Sequence, residues 1–124
     1  MLVPILKEGD VLIASIPSPL TDTELLHLRD DLAAQVGRTD AQGVVVDVSV
    51  VDVIDSFAVR TLSSLAHMTS LRGAETVIVG IQPEVASAMV QHGLTLDGVA
   101  TAIDVTDGLA CIEERAGRSV HAGD

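Results

Sequence analysis

Aromatic residues are almost missing from this sequence. Its 124 residues include one phenylalanine, Phe57, and no tryptophan or tyrosine. The core must therefore be built from Leu, Val, Ile, Ala and Met, a composition that suits β-strands flanked by helices. Cysteine is nearly absent too: Cys111 stands alone, which excludes an internal disulfide and fits a reducing compartment. Basic residues are scarce, seven against 18 acidic ones, and the formal net charge of −11 opposes binding to nucleic acid or to an anionic membrane surface. No apolar run approaches the roughly 18 residues of a membrane span. The opening Met1–Lys7 lacks the charged lead and long apolar core of a signal peptide. These absences together predict a cytoplasmic protein whose partners are other proteins, with no role for nucleic acid or membrane.

Cofactor signatures are also absent. Neither the P-loop pattern nor G-x-G-x-x-G occurs. His27, His67, His92 and His121 are scattered, none paired with another histidine or with the cysteine at i, i+4, so neither a metal nor another cofactor is signalled.

What is present is a regular alternation of β-prone and helical segments in one domain of ordinary size. Val3–Leu6 and Val11–Ile16, separated by Glu8-Gly9-Asp10, predict a hairpin, closed off by Pro17-Ser18-Pro19. Thr21-Asp22-Thr23-Glu24 has the spacing of a capping box, and Leu25, Leu28, Leu32 and Val36 continue a helical face as far as Gly37. Gly43–Val48 is a β-branched run read as a buried strand. A second helix starts around Ser56 and ends near Leu71, before Gly73. Thr76–Val79 predicts another strand, and Pro83 opens a third helix with Val85, Ala86, Met89 and Val90 inward. A short strand near Ala102-Ile103 leads to a last helix, capped by Asp104 or Thr106 and ending at Gly117. The expectation is an α/β domain over residues 1–117, order ββαβαβαβα, with a polar, disordered tail over 118–124. Three strand–helix–strand crossovers predict a mixed, mostly parallel sheet with an antiparallel opening strand.

The chemistry centres on Asp52-Val53-Ile54-Asp55-Ser56-Phe57. The spacing places Ser56 at or near a helix N-cap, where unpaired N–H groups and the macrodipole tolerate an anion. Ser56 lacks a G-x-S-x-G elbow, and the flanking Asp52 and Asp55 disfavour an alkoxide, so a serine hydrolase is a poor reading. A receiver domain with Asp47 as phosphoacceptor also fails. It needs an early acidic pair and a late lysine, whereas Lys7 is the only lysine; Asp47 is instead expected to bond nearby backbone. Spacing alone leaves Ser56 as either a helix cap or a modified residue. Phe57 is expected to pack in the core, or else to serve as an exposed anchor for a partner. Gly80-Ile81-Gln82-Pro83 is turn chemistry, expected at the same sheet end as Ser56 and so placed to form a second contact loop.

Four segments, Pro4-Ile5-Leu6-Lys7, Gly43–Asp47, Asp52–Phe57 and Gly80–Pro83, together resemble the STAS-domain anti-sigma-factor antagonists, of the RsbS type that builds the bacterial stressosome. The resemblance runs to about Gly117 and implies the SpoIIAA-like STAS fold. It also implies a non-enzymatic scaffold that self-associates with sensory RsbR-type paralogues and sequesters an RsbT-type serine kinase. In that scheme Ser56 is the phosphorylated residue, Asp52, Asp55, Phe57 and Gln82 are the partner-binding neighbours, and a PP2C-type phosphatase resets the switch. A simple anti-sigma-factor antagonist acting outside any large assembly is the alternative use of the same fold.

Overall fold

A computed structural model describes residues 3–121, with side chains described through residue 115. Its elements are β1 (Ile5–Glu8), β2 (Val11–Ser15), α1 (Asp22–Thr39), β3 (Gly43–Asp47), α2 (Ser56–Ser70), β4 (Glu75–Val79), α3 (Pro83–Gln91), β5 (Ala100–Ala102) and α4 (Val105–His121). This is the ββαβαβαβα order read from the sequence. The five strands lie in one sheet in chain order, β1 antiparallel to β2 and every later neighbour parallel.

That order determines where the helices go. Each crossover steps one place in the same direction, and connections of one hand that step the same way return to the same face. Leu28 and Leu32 of α1, Leu62 and Leu65 of α2, and Val85 and Met89 of α3 accordingly share one core with Leu12, Ala14, Val44, Val46 and Ile78. The alternate strand residues, Ile13, Val45, Val77 and Val79, point to the opposite face and pack with Ile112 of α4. Both faces of β3 are thus covered, which is why it is an unbroken valine run and not an alternating pattern. Contact with α4 is close. A Cβ at Gly43 would lie 2.6 Å from Ile112 Cδ1, and one at Gly108 would lie 2.8 Å from Val79 Cγ1.

Helix starts follow the local sequence. Glu24 N–H donates to Thr21 Oγ1 at 3.1 Å and Thr21 N–H donates to Glu24 Oε1 at 2.9 Å, completing the capping box of α1. Of the two residues able to cap α4, Asp104 does so, accepting from Asp107 N–H at 2.8 Å.

Several ends depart from the sequence reading. Helix α1 passes Gly37 and stops at Thr39, with Asp40 taking the left-handed conformation at φ 54°. Gly37 serves a different purpose: a Cβ there would collide with the Arg72 guanidinium, which lies against the helix. In α3 only Val85 and Met89 face inward; Ala86 is exposed and Val90 is 78% exposed, because so short a helix covers the core with a single i, i+4 pair. The last strand is Ala100–Ala102, leaving Ile103 81% exposed just before the cap of α4. Helix α4 continues through Gly117 to His121; an interior glycine costs a helix only about 1 kcal/mol. Of the polar tail expected over 118–124, residues 122–124 lie outside the described residues. Cys111 is half-buried against the α4-side core.

Where α2 crosses β4, two buried hydroxyls meet, Thr69 Oγ1 and Thr76 Oγ1 at 2.7 Å. Thr69 also reaches the carbonyls of Leu65 at 3.0 Å and Ala66 at 3.1 Å. Thr69 therefore keeps an acceptor if its partner is lost, whereas Thr76 has, among the described residues, Thr69 as its only side-chain partner. Thr69→Val is expected to cost about 1–3 kcal/mol by leaving a buried hydroxyl unpaired, and Thr76→Val about 1 kcal/mol or less. Urea denaturation of the two variants checks the inequality.

Candidate functional site

The β3–α2 and β4–α3 loops leave the carboxyl ends of adjacent parallel strands, the edge of an α/β sheet where sites collect. The first loop begins with Asp47, whose Oδ1 accepts from Ser49 N–H at 2.9 Å, the backbone role expected of it. Val51 N–H then bonds Val48 O at 3.0 Å, and the side chains of Val51 and Ile54 are buried in the core. Between and beside them Val50 and Val53 stand out into solvent, Val53 67% exposed.

At the far end of this loop the helix cap decides the chemistry of the serine. Asp55 is the N-cap of α2, with an extended backbone and Oδ1 accepting from Ala58 N–H at 2.9 Å. Ser56 is the first helical residue. Its side chain is exposed and makes no hydrogen bond to any described residue. The capping role, which the sequence left open for Ser56, thus falls to its neighbour, and the hydroxyl is free at the positive end of the helix.

Asp52, Asp55 and Ser56 come together along one wall of a groove of about 450 Å³. Also lining it are Val85 and Ala88 of α3, its C-cap residue His92, and Leu94 just beyond. The groove is apolar at its floor and acidic at its rim. Phe57 takes no part in it. The ring is half-buried and belongs to neither core cluster, so the fold packs without any aromatic, contrary to the core role expected of it. Gln82 lies in the second loop, as the N-cap residue of α3, but it does not cap that helix. Its Nε2 instead donates to Ser49 O at 2.9 Å, tying the two loops together. The exposed valines of the first loop carry no sequence signal of their exposure, since β-branched side chains are common in cores.

Among the described residues no cluster of three or more His, Cys, Asp or Glu side chains could hold a metal, and no helix is long and apolar enough to cross a membrane.

A family model of the STAS domain matches residues 3–102. The chain belongs to the STAS-domain family. Among solved STAS structures it is similar to an RsbS of Moorella thermoacetica carrying a serine-to-glutamate substitution, at 32% identity and a TM-score of 0.78, over 92% of this chain and 97% of that one. A chain from the molecular architecture of the stressosome, described as a signal integration and transduction hub, matches at 31% identity with a TM-score of 0.71, over 91% and 98% of the two chains. The curated RsbT co-antagonist protein RsbRA of Bacillus subtilis is 28% identical over 97 residues, covering 69% of this chain and 35% of the relative. The chain thus spans about a third of the length of that relative. The anti-sigma factor antagonist SpoIIAA shares the fold, with a TM-score of 0.70 at 10% identity. The family match and the two structures above 30% identity make this a STAS protein of the stressosome type.

Proposed function

We propose that this STAS domain is a non-enzymatic cytoplasmic scaffold that sequesters an RsbT-type serine kinase and releases it when Ser56 is phosphorylated. The carrying observation is the free, exposed Ser56 hydroxyl at the start of α2, relieved of capping by Asp55 and flanked by acidic residues on the groove rim. A neutral hydroxyl leaves the acidic rim of the groove tolerable to a docked partner. A phosphoserine adds about −1.5 to −2 charges there and turns the same surface repulsive. The exposed Val50 and Val53 supply apolar contact area beside the switch.

RsbR-type paralogues with sensory domains are the proposed partners in assembly, together with further copies of this chain, and a PP2C-type phosphatase is the proposed resetting enzyme. Similarity to an RsbS and to a stressosome chain supports this, as does homology to RsbT co-antagonist proteins. No cofactor enters the proposal.

Intact-mass spectrometry after incubation with the cognate serine kinase and ATP tests it. One added phosphate on the wild type and none on Ser56→Ala is the expected result. No phosphate on either chain, with the kinase active on another substrate, overturns the assignment of Ser56.

A further inference from the structure

The β4–α3 turn has the sequence Gly80-Ile81-Gln82-Pro83. Three of its properties converge on the neighbouring loop. Gly80 adopts φ +80°, and a Cβ there would lie 2.9 Å from Ser49 Cβ and 3.1 Å from Asp47 Oδ1. The missing side chain is what lets the two loops touch. Pro83 restricts the residue before it to extended backbone, and Gln82 sits there at φ −64°, ψ 144°. Gln82 is therefore held in one backbone conformation, with its amide engaged on Ser49 O at 2.9 Å and not on its own helix. The Ser49 N–H is meanwhile occupied by Asp47 Oδ1. Both polar groups of the Ser49 backbone are thus held, one from β3 and one from the β4–α3 turn.

We infer that Gln82, seated by Gly80 and Pro83, is a positioning residue that latches the root of the β3–α2 loop and so sets how Ser56 is presented to the kinase. This rests on the reading of Ser56 as the phosphoacceptor. The loop has two ends. Its far end is fixed by the buried Ile54 and by the Asp55 cap, both of which keep Ser56 at the helix start. Its near end, the Val48–Val51 turn, is closed by the Val51 N–H bond to Val48 O, by Asp47 Oδ1 on Ser49 N–H and by the Gln82 latch on Ser49 O. Without the latch the near end opens more often while the helix start stays formed. A kinase that must grip the loop then finds its binding-competent form less populated, which weakens apparent affinity and leaves the bound chemistry untouched. Gln82 thus acts from within the chain, and not as the direct partner contact that its place near the site suggests.

Hydrogen exchange and phosphorylation kinetics on Gln82→Ala, Gln82→Lys and wild type separate these roles. In Gln82→Ala the Ser49 and Val51 amides are expected to exchange roughly fivefold faster, the loss of one hydrogen bond, with the strand amides unchanged. The KM for Ser56 phosphorylation rises by a smaller factor, since it follows the closed fraction of the loop and not its opening constant, and kcat stays as it was. Gln82→Lys keeps a donor of similar reach and restores exchange protection. Two results overturn the inference: unchanged exchange with a raised KM, which makes Gln82 a direct partner contact, and faster exchange with unchanged phosphorylation, which leaves the latch without effect on presentation. A wild-type chain that takes no phosphate overturns the phosphoacceptor reading instead, and the exchange result alone then decides whether the latch exists. Gly80→Ala, which forces the loops apart by collision, is expected to reproduce the faster exchange and serves as the independent variant.

Discussion

Ser56→Glu is expected to weaken binding of the cognate serine kinase at least about 30-fold while leaving the circular-dichroism spectrum unchanged. The first half follows from where the charge lands. Asp52 and Asp55 already line the rim on which Ser56 sits, and a third carboxylate adds like charge to a surface that the kinase must cover. Like-charge juxtaposition across an interface costs several kcal/mol, and every 1.4 kcal/mol is about tenfold in affinity. A phosphate, at about −1.5 to −2 charges, should exceed the effect of glutamate. The second half follows from the cap. An acidic side chain in the first turn of α2 interacts favourably with the macrodipole, and the Asp55 cap does not involve the Ser56 side chain, so the helix start survives. Calorimetric titration at two salt concentrations checks both the loss and its electrostatic origin, since part of the penalty should fade at high ionic strength. Equal affinity for wild type and Ser56→Glu would remove charge as the basis of release.

The second large effect concerns the fold beneath the switch. Leu65 of α2 is 1% exposed and belongs to the core shared by α1, α2 and α3. Leu65→Ala is expected to cost about 3–5 kcal/mol, the transfer term plus the cavity left behind. With total stabilities of about 5–15 kcal/mol, that is a large share of the whole. Thermal melts should show a fall of more than about 10 °C. The folded fraction of this variant should still accept phosphate on Ser56 at the wild-type rate, because Leu65 lies at neither the cap nor the loop. A core variant that folds but phosphorylates slowly would mean that presentation of Ser56 depends on core packing as well as on its loop.

Local chemistry was the part of the structure open to reading. Thr21 and Glu24 are three residues apart, and their two hydrogen bonds need nothing from the rest of the chain, so the capping box could be read directly. The parallel pairing of the later strands is close to this case, because successive strands joined through a helix run parallel in one sheet. What could not be read depended on distant partners. Gly37 resembles a helix stop until Arg72, which lies far along the chain, is seen to occupy the space beside it. Ser56 and Asp55 are both good caps, and sequence spacing does not distinguish them; the fold gives the role to Asp55. Val50, Val53, Val90 and Ile103 carry side chains typical of a core, yet they are exposed because no element reaches over them. Phe57, the sole aromatic, is half-buried outside both core clusters. The link from Gln82 to Ser49 spans two loops and has no local signature at all.

The sequential strand order has a consequence for the chain as it leaves the ribosome. Every strand after the first adds beside the one made just before it, so the sheet can grow in the direction of synthesis without waiting for a distant segment. The face carrying α1, α2 and α3 is roofed as it forms. The other face is not. Ile13, Val45, Val77 and Val79 stay bare until α4 emerges with Ile112. During that interval the nascent domain presents an apolar stripe across its strands, the kind of surface that chaperones bind and that neighbouring nascent chains can stick to. The emergence of α4 therefore decides when this face of the sheet is covered.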